Sequence, residues 1–305
     1  MLQICELSIR FGKGPEVSSD VSFTINDRDR FVLIGETGSG KSVLMLAALG
    51  LLPRTAVTTG QIFYNEKELL SASKQELNQL LGIKISYIPQ GSGNGLNPLL
   101  TIGRQMDEMI SRRKKLPKSE LEAASSKFLE AFGFPEPRRL RRAFPFMLSG
   151  GMRQRVLIAM AAAADAELIL ADEPTKGLDS GRISLVADSF RTLYDRTVFC
   201  VTHDIRFAKE IGTKIAVAYA SQIVEIASKD DFFNKPLHPY AQAMTAALPE
   251  NGFQVQSGFA PPRSEDTETG CRFISRCSYK NQKCHKMPPL TDLGSRKVRC
   301  WLHAD

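Results

Sequence analysis

The sequence predicts an α/β fold, and three observations support that prediction. Residues 31–34 are continuously apolar, as in a β-strand that is buried on both faces. A glycine-rich loop and a helical pattern at 41–52 follow this strand. Strand patterns return at 168–171, 198–201 and 215–220, with a helical stretch at 181–194. Strands that alternate with helices in this way indicate an α/β core.

The remaining patterns divide the chain into a core, an insertion and a tail. Strand patterns also lie at 2–11, 21–25, 61–65 and 83–88. From about 91 to 164 the strand patterns stop, and an apolar face at 118–132 indicates a helix, before the glycine- and proline-rich stretch 133–145. After about residue 235 the composition shifts to Pro, Gly, Cys and basic residues. We therefore predict one domain at 1–236, with a helical insertion at about 91–164, and a small Cys-rich domain at 237–305.

The composition is that of an ordinary globular protein. Of the 305 residues 43% are hydrophobic and 24% are charged, which is enough to bury a full core. No stretch approaches the roughly 20 apolar residues that cross a bilayer, and the N-terminus lacks a signal-peptide pattern. We therefore expect a cytoplasmic protein, unless a partner holds it at a membrane. The net charge of +7 suits nucleic acid, anionic lipid or a nucleotide and does not discriminate between them.

A phosphate-binding loop lies between the strand pattern at 31–34 and the helix that follows. Two glycines flank four residues and are followed by Lys and Ser, in the strand-to-helix context that this motif requires. The glycines let backbone N–H groups point at phosphate oxygens, and the helix N-terminus adds positive charge. We expect Lys41 to reach the β- and γ-phosphates of ATP and the Ser42 hydroxyl to coordinate Mg²⁺. The loop consists of Gly35, Glu36, Thr37, Gly38, Ser39, Gly40, Lys41 and Ser42.

Two carboxylates follow a second apolar strand. Asp172 and Glu173 come directly after the apolar residues 168–171, so the strand directs both toward one site. We expect Asp172 to hold Mg²⁺ through its water shell and Glu173 to polarise the attacking water as the general base. Adjacent acidic residues at a strand end are also common surface features, but here they occur in a chain that already has a phosphate loop.

A second anion-binding motif precedes an Ala-rich helical stretch at 156–164. Ser149, Gly150 and Gly151 form a helix N-terminus that can hold an anion. One nucleotide site does not need two such features, whereas the second is explained if it caps the γ-phosphate bound by another subunit. With Leu148 the stretch reads Leu-Ser-Gly-Gly, and the sequence resembles the ATP-binding cassette (ABC) ATPases, which this motif defines. The resemblance implies a P-loop NTPase with a RecA-like core, an antiparallel β subdomain and an inserted helical subdomain.

Four further residues match positions of the ABC family. Phe11 resembles the aromatic residue that stacks on adenine, although a core aromatic at a strand end is an open alternative. Gln90 resembles the glutamine that senses Mg²⁺ and couples to the membrane subunits, and His203 resembles the histidine that contacts the γ-phosphate. Asp179 matches the key residue of the loop that crosses the dimer interface.

Three tracts narrow the resemblance to the ATPases of dipeptide, oligopeptide and nickel importers. They are Gly-Leu-Asn-Pro at 95–98, Met-Arg-Gln-Arg at 152–155 and Leu-His-Pro-Tyr at 237–240. The resemblance implies an ATPase that drives uptake of peptides, nickel or metal chelates, held peripherally on the cytoplasmic face of the cell membrane. Its implied partners are a second homologous ABC ATPase, with which it forms a heterodimer as the first of the pair, two transmembrane permease subunits and an extracytoplasmic substrate-binding protein. Nucleic acid is not among them.

Four cysteines lie close together in the tail. Cys271, Cys277, Cys284 and Cys300 are separated by five, six and fifteen residues. Four thiolates suit either tetrahedral zinc or an iron–sulfur cluster. Some proteins of the importer group carry a 4Fe-4S cluster in this tail, so the resemblance favours that cluster, with Zn²⁺ and free thiols as alternatives. Basic neighbours are expected to offset the negative charge of a thiolate centre; they are Arg272, Arg276, Lys280, Lys283, Lys286, Arg296, Lys297 and Arg299.

Two other classes of function compete with transport. A soluble ABC ATPase that acts on nucleic acid would use the basic charge for phosphate contacts, but such proteins usually carry duplicated cassettes or coiled-coil insertions, which are not seen in this sequence. A metal- or redox-sensing ATPase would use the cysteines of the tail as its main functional group.

Overall fold

The computed structural model describes residues 1–91, 95–254, 258, 260 and 269–304. It divides the chain into two compact units, the first formed by residues 1–71 and 201–305 and the second by residues 72–200. The strands are β1 (Leu2–Phe11), β2 (Glu16–Ile25), β3 (Arg30–Gly35), β4 (Ala56–Tyr64), β5 (Lys67–Glu68), β6 (Ile85–Ile88), β7 (Leu168–Asp172), β8 (Thr197–Thr202), β9 (Lys214–Tyr219), β10 (Gln222–Ser228), β11 (Thr291–Asp292) and β12 (Lys297–Val298). The helices are α1 (Lys41–Ala48), α2 (Lys74–Leu80), α3 (Ile102–Ser111), α4 (Lys118–Ala131), α5 (Pro137–Arg142), α6 (Gly150–Ala163), α7 (Ser180–Arg191), α8 (Ile205–Ile211), α9 (Lys229–Asn234) and α10 (Pro239–Ala246). No helix in these described ranges is long and apolar enough to cross a membrane.

The first unit contains an antiparallel sheet with the strand order β2-β1-β4-β5. In β1 the apolar residues Leu2, Ile4, Leu7 and Ile9 are buried, whereas Gln3 and Glu6 between them are exposed. This near-alternation is expected of a strand with one face on the core. Irregular register between β1 and β2 accounts for its interruptions. The predicted strand at 2–11 and the antiparallel β subdomain are confirmed.

Strand β3 lies in a second sheet of the first unit, beside β9, with which it pairs in parallel. Its apolar residues 31–34 are fully buried, so the strand is covered on both faces as the sequence predicted. β9 pairs antiparallel with β10, and β10 pairs antiparallel with β12 of the tail, where Glu225 lies opposite Val298. The tail therefore extends the sheet that carries the phosphate loop.

The second unit combines a parallel pair of strands with most of the longer helices. Strand β6 pairs with β7 in parallel, with Tyr87 opposite Leu170, and all five residues of β7 are buried. Helix α4 confirms the predicted helix at 118–132. Among these helices, Asp107 accepts two hydrogen bonds from Arg141, at 2.8 and 3.0 Å, and one from Ser125 at 2.8 Å. Helix α2 was not predicted, although its capping box of Ser73 and Glu76 is a recognisable start signal.

Candidate active site

Glycine is required at two positions of the phosphate loop because the backbone of other strands lies against it. A Cβ on Gly35 would lie 2.2 Å from the carbonyl oxygen of Ala218 on β9. Gly40 has a φ of +92°, and a Cβ there would lie 2.1 Å from the carbonyl oxygen of Val17 on β2. Both contacts are far inside van der Waals distance, so the loop can pack in this way only with glycine.

The loop folds around the side chain of Lys41, the first residue of α1. Its buried ammonium donates hydrogen bonds to the carbonyl oxygens of Gly35, at 2.8 Å, and Glu36, at 2.9 Å. Helix α1 begins directly after the loop, and Gly40 at its N-cap has no side chain to accept the backbone N–H groups of the first turn. The result is a concentration of positive charge and N–H donors, which is the arrangement that binds phosphate.

Two other predicted residues of the first unit lie at strand ends. Phe11 ends β1 and is half-buried, in contrast to the fully buried Ile9, which favours a role at the surface over a core role. His203 is exposed and follows β8 directly. The next residue, Asp204, caps α8 by accepting the N–H of Phe207 at 3.0 Å. His203 is therefore fixed between a buried strand and a capped helix.

The two carboxylates of the second unit are buried. Asp172 is the last residue of β7 and is 4% exposed, and Glu173 follows it with 9% exposure. Glu173 has a φ of +45°, in the left-handed region, which costs a residue other than glycine about 1–3 kcal/mol. Strain of this kind persists where the surrounding structure holds a residue in place and is concentrated at functional sites.

Tyr87 is a residue of this site that the sequence analysis missed. Its hydroxyl donates a hydrogen bond to Asp172, and burial together with the negative charge of Asp172 raises the pKa of Tyr87 to about 12. The bond orients the carboxylate of Asp172 from the neighbouring strand, β6. The available signal was an aromatic residue within the predicted strand at 83–88, next in space to the strand that carries the acidic pair.

Ser149 and Asp179 both begin helices in the second unit. The Ser149 hydroxyl accepts the N–H of Met152 at 3.3 Å at the start of α6, where Gly150 and Gly151 form the first turn. Asp179 caps α7 by accepting the N–H of Arg182 at 3.1 Å.

Arg182 connects these two helix starts, and the sequence analysis did not identify it. Its Nε forms an ion pair with Asp179 at 3.0 Å, and a Cβ on Gly151 would meet its side chain at 3.3 Å. Ser149 and Asp179 are both largely exposed, so the two helix starts share one open surface. Gln90, in the same unit, is half-buried two residues after β6.

The four cysteines of the tail line one small cavity. Burial and the neighbouring thiols raise the pKa of Cys271 to about 11, and burial also raises those of Cys277 and Cys300. Within the described ranges, no group of three or more His, Cys, Asp or Glu side chains is arranged to hold a metal ion. The four thiols predicted to bind an iron–sulfur cluster or zinc thus share one cavity, but they do not form a compact ligand set.

Four of the basic residues that the sequence analysis assigned to charge compensation make contacts with the core. Arg272 donates to Ser19 at 3.2 Å and Arg299 donates to Asp20 at 2.8 Å. Arg296 and Arg276 donate to the carboxylates of Glu225 and Glu36, each at 2.8 Å. Their hydrogen bonds hold the tail against the core, a role that the sequence analysis did not anticipate; charge compensation of a thiolate centre stays a prediction.

The chain belongs to the ABC transporter family. The profile described as ABC transporter matches residues 18–176, which include the phosphate loop, the helix that starts after Ser149 and the two carboxylates. In structure the chain is similar to the ATP-binding cassette MJ0796 in its dimeric post-hydrolysis state with ADP and Pi. That likeness has a TM-score of 0.66 at 25% identity, over 75% of this chain and 99% of the other. The chain is thus an ATPase with the P-loop fold, as the sequence predicted.

Within that family the chain belongs to the dipeptide and oligopeptide transport ATP-binding proteins. Residues 224–284 match the profile of the oligopeptide/dipeptide transporter C-terminal region. The dipeptide transport ATP-binding protein DppD of Bacillus subtilis is 33% identical over 96% of this chain and 90% of its own length. The oligopeptide transport ATP-binding protein OppD of Haemophilus influenzae is 32% identical over 100% of this chain and 98% of its own length.

Proposed function

We propose that this chain hydrolyses ATP to drive a peptide importer at the cytoplasmic face of the cell membrane. The match of its tail to the oligopeptide/dipeptide transporter C-terminal region supports peptides as the cargo, as do relatives named for dipeptide and oligopeptide transport. Nickel and metal chelates, which the sequence analysis left open, have no such support among these relatives.

The buried carboxylate pair at the end of β7 is the observation that supports hydrolysis best. Glu173 is strained and buried, as suits a general base held ready for the attacking water. Lys41 and His203 would stabilise the charge of the γ-phosphate. Ser42 and Asp172, with Gln90, are the proposed ligands of Mg²⁺, which supplies charge neutralisation on the phosphate oxygens.

The test is a Glu173→Gln substitution in the assembled transporter, with the general base of the partner ATPase also replaced so that its site contributes no turnover. We expect ATP binding to persist and turnover to fall by at least about 100-fold, because the amide cannot accept the proton of the water. Glu167→Gln is the matched control, since Glu167 directly precedes β7 and pairs with Lys84 outside the proposed site. Equal turnover of the Glu173→Gln and control complexes would disprove the assignment.

We also propose that the exposed helix starts at Ser149 and Asp179 complete the ATP site of a second, homologous ATPase. Both side chains cap their own helices and are exposed, so they are accessible to a partner. Two permease subunits and an extracytoplasmic binding protein complete the proposed complex. Purification of the tagged chain from membranes should recover these partners, and Ser149→Arg should abolish the ATP-dependent association of the two ATPases. Recovery of the chain alone, with or without ATP, would contradict this assembly.

For the tail we propose an iron–sulfur cluster held by Cys271, Cys277, Cys284 and Cys300. A single zinc ion requires all of its thiolates about 2.3 Å from one point, whereas the thiolates of a cluster bind different iron atoms and stand further apart. The four thiols line one cavity, which suits either kind of centre, and the resemblance to importer ATPases with a 4Fe-4S cluster in this tail is what supports the cluster. When bound, such a cluster supplies a covalent staple between four points of a loop-rich segment.

Anaerobic purification distinguishes the alternatives for the tail. Iron and acid-labile sulfide in equal amounts, with visible absorbance that bleaches on reduction, are expected for the wild-type chain, and Cys284→Ser should lose them. Cys200→Ser is the matched control, because Cys200 is buried in β8, away from the tail cavity. Zinc in place of iron, or four titratable thiols in metal-free protein, would contradict the cluster.

A further inference from the structure

We propose that Arg276 is a positioning residue for ATP binding, acting through the side chain of Glu36 in the phosphate loop. Arg276 lies in the tail, directly before Cys277, and its Nη1 donates a hydrogen bond to Oε1 of Glu36 at 2.8 Å. The two residues are 240 positions apart in the sequence. The inference rests on the proposed function, because it assigns a role in binding ATP at that loop.

Glu36 is held at both its backbone and its side chain. Its carbonyl oxygen accepts hydrogen bonds from Lys41 Nζ at 2.9 Å and from the N–H of Ser39 at 3.2 Å, while its carboxylate is held by Arg276. A displacement of the carboxylate is therefore transmitted to the loop backbone and to the lysine that reaches the phosphates. Positioning errors of this kind weaken phosphate binding because the N–H groups and the ammonium must converge on the same oxygens.

Arg276 itself is fixed by aromatic rings of the core and the tail. Its side chain is 10% exposed, and the guanidinium carbon lies 5.6 Å from the ring centre of Tyr219, 5.9 Å from that of Tyr240 and 5.5 Å from that of Phe273. Ring faces attract a cation at these distances. Tyr219 ends β9, the strand that pairs with β3, and β3 leads directly into the loop. The sheet therefore fixes the position of the Arg276 guanidinium relative to the loop.

Charge gives Arg276 a second effect at the same place. The second residue of a loop that binds a polyphosphate is a carboxylate, and like charges in a partly buried site repel appreciably. An arginine within hydrogen-bonding distance neutralises that carboxylate and so removes the repulsion. Loss of Arg276 would therefore both loosen the loop and leave an uncompensated negative charge beside the phosphates.

The experiment is a double-mutant cycle in the full-length chain, with Mg-ATP affinity measured by calorimetry. Arg276→Met keeps much of the packing against the rings but removes the charge, and it is expected to weaken Mg-ATP binding about tenfold. In a Glu36→Gln background the same substitution should cost about twofold or less, since the carboxylate on which it acts is gone. Arg276→Lys keeps the charge but loses the planar guanidinium that packs against the rings, so it should recover only part of the affinity.

Arg296→Met is the matched control, because Arg296 is a tail arginine of similar burial, 12% exposed, that is paired with Glu225 instead of the loop. It should lower stability without changing Mg-ATP affinity. Fluorescence of Trp301, the single tryptophan of the chain, reports whether the tail of each variant is folded. If Arg276→Met unfolds the tail, the Mg-ATP affinity of Arg276→Lys is compared instead in the wild-type and Glu36→Gln backgrounds, and a loss that is larger in the wild-type background supports the proposal. An equal loss with and without Glu36, or no loss, would overturn the proposal, whereas failure of the wild-type chain to bind Mg-ATP would overturn the proposed function instead.

Discussion

Removal of the Glu225 carboxylate should release the tail from the core. Glu225 lies in β10 with no exposed surface, and it accepts hydrogen bonds from three groups of the tail. Arg296 donates to it at 2.8 Å, and the N–H groups of Leu237 and His238 donate at 3.0 and 2.7 Å. One carboxylate thus anchors both the start of the tail and the segment that leads into β12.

The structure allows an estimate of the cost of Glu225→Ala. Removing one partner of a buried ion pair usually costs about 3–5 kcal/mol, because the other charge is left uncompensated. Arg296 keeps a second hydrogen bond, to the carbonyl oxygen of Lys235, so the lower end of that range, about 3 kcal/mol, applies. Glu225→Gln also leaves Arg296 without its counter-charge but retains an oxygen that can accept the two N–H groups, so a loss about 1 kcal/mol smaller than that of Glu225→Ala is expected.

Urea unfolding, monitored by the fluorescence of Trp301, measures the stability of the tail. Trp301 lies in the tail and donates its indole N–H to the carbonyl oxygen of Lys286 at 2.8 Å, so its emission changes when the tail unfolds. Glu136→Ala is the control, because Glu136 pairs with Arg139 at the surface and such pairs contribute little. If the tail of Glu225→Ala unfolded at the same urea concentration as the wild-type tail, the reasoning would be refuted. Equal losses of unfolding free energy in the Ala and Gln variants would also refute it.

Three other substitutions test the loop, the acidic pair and the tail. Gly40→Ala should abolish Mg-ATP binding in calorimetry, because Gly40 has a φ of +92° and the added Cβ would clash with backbone. Gly181→Ala in α7 is the control and should leave binding unchanged, since its Cβ would meet nothing closer than 3.6 Å. Tyr87→Phe removes the hydrogen bond to Asp172 and should raise the Mg²⁺ concentration for half-maximal ATPase activity about tenfold; an unchanged Mg²⁺ dependence would contradict the role of Tyr87. Burial lowers the pKa of His238 from 6.5 to about 3 in the folded chain, so the imidazole takes up a proton in the unfolded chain at a higher pH than in the folded chain. The free energy of unfolding should therefore fall by about 1.4 kcal/mol per pH unit as the pH drops from 6.5 toward 3. His238→Asn should show a flatter pH dependence in the same fluorescence assay, and an identical slope would exclude this origin.

Local patterns predicted much of the fold because they record local requirements. The buried strand at 31–34 appears as an unbroken apolar run, and the loop after it appears as glycines at fixed spacing, because close packing excludes a Cβ. Helix α3 was predicted only as part of the helical insertion at about 91–164, without bounds of its own, and strand β10 was missed. Residues 222–228 are buried almost throughout, but Gln222 and Glu225 interrupt the apolar run. Hydrophobic periodicity does not indicate that a glutamate is buried when its burial depends on an ion pair with a distant residue.

The sequence by itself determined where the phosphate-loop motif lies and which carboxylates follow the buried strand, since each motif is contiguous and its geometry is set by adjacent backbone. Only the tertiary structure decided which distant side chains support them. Tyr87 reaches Asp172 because β6 pairs with β7, and Arg276 reaches Glu36 because the tail lies against the sheet that carries the loop. Such contacts join residues tens to hundreds of positions apart, and their energy depends on a packing that no local window of sequence specifies.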